Sequence, residues 1–209
     1  CCMGAYAGYG IVAAGGKLYL LDSLQRAYSA HTPYSIYQYE CFVLHGIAAR
    51  VLWQSGGALC FGTDRGEGMR FFSDPHSAAS YADCGQPIAA HWDVPDMDGE
   101  HFFRAKDISL VAVRPAAAPV TSLTLQARVR GVWQTLLQSS VRARYFCWGS
   151  LCWSALSWAG DASERTVAAR VSLRDVDKVR FRLANGALCQ SFGISEFAVQ
   201  TTEAGRYRR

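Results

Sequence analysis

An all-β fold is predicted: two propeller-blade-like repeats, forming a partial propeller, followed by an antiparallel β-sandwich of the jelly-roll kind. Three observations predict it. The segment from Gly15 to Asp22 is echoed 41 residues later by Gly56 to Asp64. Beyond Pro87 the apolar residues fall into alternating runs separated by turn dipeptides. Helical periodicity is almost absent, so strand-forming patterns are left to bury the apolar half of the chain.

The repeat reads in the same order in both copies. An apolar strand (Gly8 to Ala13 in the first copy) runs into a Gly-Gly turn, and Gly15-Gly16 and Gly56-Gly57 are read as hairpin turns. A second apolar strand follows, then a polar turn at Asp22-Ser23 or Asp64-Arg65-Gly66. A further strand is then expected to start at Ala27-Tyr28 in the first copy and at Met69 to Phe72 in the second. A spacing of about 40–45 residues with glycine turns between short strands fits one propeller blade per copy. Closed propellers use about four to eight blades, so two leave strand edges open. The chain opens Cys1-Cys2-Met3, and is expected to be a piece of a longer array or to complete its sheets on a partner. Residues 1–82 are assigned to this partial propeller.

Residues 83–209 are assigned to the sandwich. Turn-rich segments at Ser73 to Ser77 and Asp83 to Pro87 bracket the change of texture. Strands are expected at Ile88 to Val94, Ile108 to Arg114, Ser122 to Arg130, Val132 to Leu137, Val141 to Trp148, Thr166 to Leu173, Lys178 to Leu183 and Ile194 to Thr201. Turns are expected at Asp98-Gly99, Arg130-Gly131 and Asn185-Gly186. The clearest pattern is Lys178 to Leu183, with Val179, Phe181 and Leu183 on an inward face and Lys178, Arg180 and Arg182 outward, toward solvent or an acidic neighbour. Leu151 to Ala159 fits a turn or two of helix as well as a strand.

Composition narrows the class. The 209 residues are 50% apolar, 12% aromatic and only 18% charged, a balance suited to buried or partner-covered surface and not to disorder. The net charge of +4 is spread out, and Arg206, Arg208 and Arg209 read as a solvated end; neither points to nucleic acid. No secretory leader is visible. The uncharged run Cys1 to Gly16 is broken by five glycines and is not a membrane span, so a soluble chain is expected. Eight cysteines form no C-x-x-C pair and none has a histidine at ligand spacing, which argues against zinc. Cys60, Cys147 and Cys189 are read as small apolar core residues on strands.

The segment His91 to His101 concentrates Asp93, Asp96, Asp98 and Glu100 with two imidazoles, the place to look for acid/base work or a cation. Asp96-x-Asp98-Gly99 matches part of a calcium loop, but Val94 stands at the first ligand position and the closing Glu is missing. These carboxylates are therefore expected to form turns and cap backbone amides. Gly149-Ser150 lacks a nucleophile elbow, and Cys147 and Cys152 lack a neighbouring histidine. Trp148, Trp153 and Trp158 fit a core or a subunit contact better than a sugar-stacking platform. No catalytic, cofactor-binding or metal-binding residue is assigned, and no cofactor is expected.

The GG-x-L strands, the run Asp83-x-Gly85-x-Pro87-Ile88-x-Ala90-x-Trp92-Asp93-x-Pro95 leading to Lys106, and the ending from Phe181-Arg182-Leu183 through Phe192-Gly193-Ile194 to Glu203-x-Gly205-Arg206-Tyr207-Arg208 resemble tail or neck structural proteins of tailed bacteriophages and prophages. The resemblance covers roughly residues 12–209. It implies a non-enzymatic component of the virion, in the tail, neck or baseplate region, assembled in the host cytoplasm. Its partners would be other virion subunits, including further copies of itself. The short repeat array and the many cysteines depart from that pattern. A carbohydrate-binding, receptor-recognition module is the alternative, and a propeller-linked hydrolase the third reading.

Overall fold

A computed structural model of the chain describes residues 1–27, 38–71, 77–99, 104–116, 120–142 and 165–207. Among these the only helical segment is a single 3-10 turn, Ala78–Tyr81; everything else regular is strand, paired antiparallel. No sheet among the described residues closes on itself. The chain divides into two compact units, Cys1–His76 and Ser77–Arg209.

The first unit holds two sheets whose strands pair in chain order. One is four-stranded, with β1 (Cys2–Tyr6), β2 (Tyr9–Ala14), β3 (Lys17–Ala27) and β4 (Gln38–His45). The other has β5 (Ala49–Ser55), β6 (Ala58–Thr63) and β7 (Gly68–Arg70). The sequence repeat is the hairpin at the heart of each. Ala14 pairs with Lys17 across Gly15-Gly16, and Ser55 with Ala58 across Gly56-Gly57. All four glycines have φ between +55° and +74°, the type I′ geometry whose twist matches the flanking strands and which a Cβ disfavours. Ile11, Ala13 and Leu18 of one sheet and Ala49, Leu59 and Phe61 of the other form one buried cluster.

The turn expected at Asp22-Ser23 is absent. β3 runs through it, with an irregularity in its pairing to β4 between Leu21 and Arg26. Asp22 lies opposite Tyr9 and is only 6% exposed, while the Ser23 backbone N–H and hydroxyl both donate to the Gly8 carbonyl. These bonds prolong the strand past the polar pair, so Ala27 lies in the strand that began at Lys17, where a new start was expected. Asp64 to Gly66 is a turn as expected, with the Thr63 hydroxyl accepting the Arg65 and Glu67 amides, each at 3.3 Å.

In the second unit a short hairpin, β8 (Ala82–Asp83) with β9 (Gln86–Pro87), precedes seven longer strands. These are β10 (Ala90–Asp93), β11 (Arg104–Pro115), β12 (Val120–Val129), β13 (Val132–Arg142), β14 (Val167–Val176), β15 (Val179–Asn185) and β16 (Ile194–Tyr207). They form a four-stranded sheet in the order β10-β15-β12-β13 and a three-stranded sheet in the order β14-β11-β16. Alternation puts Val179, Phe181 and Leu183 in a single cluster with Leu123, Leu125 and Ala127 of their own sheet and Val111, Val113 and Leu173 of the other. Phe181 is fully buried, its ring 5.3 Å from that of Phe197. Trp92 meets Phe197 edge to face at 6.2 Å.

Three expectations are corrected here. Val141 opens no new strand but continues β13, because it pairs with Thr121 in the same ladder. Asn185-Gly186 is not a hairpin turn. Asn185 is the buried last residue of β15, donating from Nδ2 to the Ser122 carbonyl at 2.8 Å while its Oδ1 accepts the Ala187 amide at 2.8 Å. Cys189 is exposed in a turn with φ +57°, not a core strand residue, whereas Cys60 is buried on β6 as read from sequence. Cys147, Cys152, Ser150, the three tryptophans between 148 and 158, Glu100 and His101 lie outside the described residues.

Candidate functional site

The acidic segment and the cationic strand, separate features of the sequence, meet on the outward face of the four-stranded sheet of the second unit. β10 pairs with β15 so that Asp93 lies opposite Arg182. Arg182 holds it with two hydrogen bonds, Nε to Oδ1 at 2.6 Å and Nη2 to Oδ2 at 2.8 Å. Farther along, Met97 and Val179 exchange backbone hydrogen bonds of 2.8 and 3.1 Å, which carries Asp96 to Arg180, with Nε to Oδ1 at 2.7 Å, and near Lys178 at 3.6 Å. Asp93 and Asp96 thus pair with arginines in place of the backbone amides expected for them.

The loop between is seated by Gly99. Its φ is +69°, and a Cβ there would overlap Cε of Lys106. Lys106 is buried on β11, its Nζ donating to the Arg104 carbonyl at 2.9 Å and reaching the Asp177 carbonyl at 3.5 Å. A side chain at position 99 would therefore push the end of the Lys106 side chain off the two carbonyls that hold it.

Electrostatics follow from the pairing. The Arg182 guanidinium bonded to Asp93 holds that carboxyl below its ordinary value, against a smaller opposing effect of burial. The bond from Arg180 does the same for Asp96. Both arginines are held above their ordinary value in return. Carboxylates locked as anions cannot serve as protonated general acids near neutral pH, and two that already face arginines are poor ligands for a cation. No group of three or more metal-ligating side chains occurs among the described residues.

Beside Asp96 the surface sinks into a groove of about 440 Å³ lined by Asp96, Arg128, Arg130, Gly131, Asp177, Lys178 and Arg180. Arg128 and Arg180 are directly opposite each other on β12 and β15. The type I′ turn Arg130-Gly131, with φ +51° and +85°, sends Arg130 to Asp175 at 3.3 Å. Arg128 makes one long bond, 3.4 Å to the Gly131 carbonyl, and no carboxylate partner for it occurs among the described residues. Next to the groove Arg182 stacks 4.4 Å from the centre of the Trp133 ring. Arg128 was not singled out from the sequence; the signal was Arg128-x-Arg130-Gly131, two cations at strand period running into a turn.

A second surface belongs to the first unit. On the four-stranded sheet, Met3, Val12, Tyr19 and Val43 form one row across β1 to β4, and Ala5, Gly10, Leu21 and Cys41 the next. This is the face opposite the buried cluster, yet Met3 is 76%, Val43 40% and Leu21 38% exposed. Lys17 and His45 bring charge and polarity at one end of the face.

Comparison with known proteins gives no match to a family model, to a curated protein or to a solved structure. No described helix is long and apolar enough to cross a membrane.

Proposed function

We propose that this chain is a non-enzymatic assembly component of a tailed-phage virion, in the tail, neck or baseplate region, and that it works through contacts with further copies of itself and with other virion subunits. The observation behind the subunit-contact reading is the outer face of the β1 to β4 sheet. An antiparallel sheet with one solvated face normally alternates apolar inward and polar outward. Here both faces are apolar, and exposed apolar surface of this continuity marks an association surface. The virion assignment rests on the sequence resemblance. In this proposal the first unit is a partial propeller of two blade-like sheets, supported by their repeated hairpin and shared core, and the second unit is an antiparallel sandwich, supported by two sheets feeding one cluster. The test is the mass of the purified chain in solution by light scattering after gel filtration, followed by electron microscopy of the particles formed. Rings or tubes support the proposal; a strict monomer across the accessible concentration range contradicts it.

A further inference from the structure

We propose that Asn185-Gly186 is a self-modification site held shut by the fold: the Asn185 amide is hydrolysed when the loop after β15 lifts from β12, and the acid that results opposes reseating. Asn185 is the only asparagine in the chain, and a glycine follows it. Asparagine amides are chemically labile, and with no Cβ at position 186 the backbone nitrogen there is unobstructed. The Gly186 nitrogen attacks Cγ of Asn185, a cyclic imide closes through the new C–N bond, and ammonia leaves carrying the proton from that nitrogen. Water then opens the imide at either carbonyl to aspartate or isoaspartate. The net change is amide plus water to acid plus ammonia.

The folded chain opposes the first step. Gly186 is exposed, but Asn185 is only 5% exposed and its amide is held at both ends, Nδ2 on the Ser122 carbonyl and Oδ1 on the Ala187 amide, each at 2.8 Å. Closing the imide takes Nδ2 away from Ser122. Two further bonds tie the same loop to β12: the Ser122 amide donates to Oε1 of Gln190 at 2.7 Å, and the Thr121 hydroxyl donates to the Ser191 carbonyl at 3.3 Å. Local opening of this latch is therefore the gate. After conversion, a carboxylate oxygen stands where Nδ2 donated, facing the Ser122 carbonyl. Two acceptors then meet in a buried site and one carries a charge, so the closed loop is disfavoured.

The experiment incubates the full chain at mildly alkaline pH, folded and in guanidinium, and follows ammonia loss at Asn185 by peptide mass mapping. A synthetic peptide of residues 183–188, with and without guanidinium, corrects for the denaturant. The folded chain should react about tenfold or more slowly than the unfolded one. Gln190→Ala, which loosens the latch without touching the dipeptide, should speed the folded reaction about threefold or more and leave the unfolded rate alone. Asn185→Asp, the product itself, should melt about 3 °C or more below the parent or fail to fold. Equal rates in the folded and unfolded chain, no reaction in either, or a Gln190→Ala rate equal to the parent's overturns the gate. An Asn185→Asp chain that melts with the parent overturns the effect of conversion on the fold.

Discussion

Asp93 and Arg182 set the behaviour of the outward face at the scale of single residues. The carboxyl of Asp93 is held below its ordinary value of 3.8 by the guanidinium, so the unfolded chain takes up that proton first as pH falls. The pair's contribution to stability is therefore complete above pH 3.8 and is lost as the pH drops through the lower folded value. Asp93→Asn is expected to melt below the parent near neutral pH and to converge with it in acid, measured by thermal melts across that range. Gly99 gives a second residue-level expectation. Gly99→Ala and Gly131→Ala both place a Cβ at positive φ, but only the first strikes Lys106, while Gly131 has open space. Gly131→Ala should cost about 1 kcal/mol and Gly99→Ala clearly more, by chemical denaturation. Because Asp93 and Asp96 are committed to arginines, calcium should leave the melting temperature unchanged, whereas a site at 100 times its Kd would add about 2.7 kcal/mol. The sequence exposed the acidic cluster and the cationic strand separately. Their meeting was not legible, since it depends on β10 lying beside β15, two strands about 90 residues apart in the chain.

At the scale of elements, β15 is the strand on which the pattern was most readable, and its burial alternates without exception from Val179 to Asn185. Phe181→Ala should cost about 3–5 kcal/mol through lost burial and the cavity left behind. Arg180→Ala, removing an exposed pair, should barely move the melting temperature. Similar losses for the two would contradict the facing of this strand. The same period misled at its end. Asn-Gly is a strong hairpin signal, yet Asn185 completes the inward series and spends its amide on Ser122 and its carbonyl on Ala187, so the dipeptide cannot turn there. Asp22-Ser23 failed for a related reason: hydrogen bonds to Gly8 in the facing turn keep the strand extended through a polar pair. By contrast the two Gly-Gly hairpins were fully local, needing only positive φ at adjacent positions, and local chemistry is what a sequence displays.

Across the whole molecule the all-β class was legible from period and turn chemistry, while the pairing order of the strands was not. β15 sits between β10 and β12, which only the nonlocal burial of Phe181 and Leu183 against Leu125 and Ala127 selects. The apolar composition hinted at shared surface without locating it. The structure locates exposed apolar rows on one face of the β1 to β4 sheet, the face proposed as the subunit contact. Light scattering on the parent and on the double variant Leu21→Lys, Val43→Lys tests it most directly. Both side chains point away from the buried cluster, so the variant should keep the parent's circular dichroism. The parent should be oligomeric and the variant monomeric at the same concentration. A monomeric parent, or a variant that folds and assembles unchanged, would contradict it.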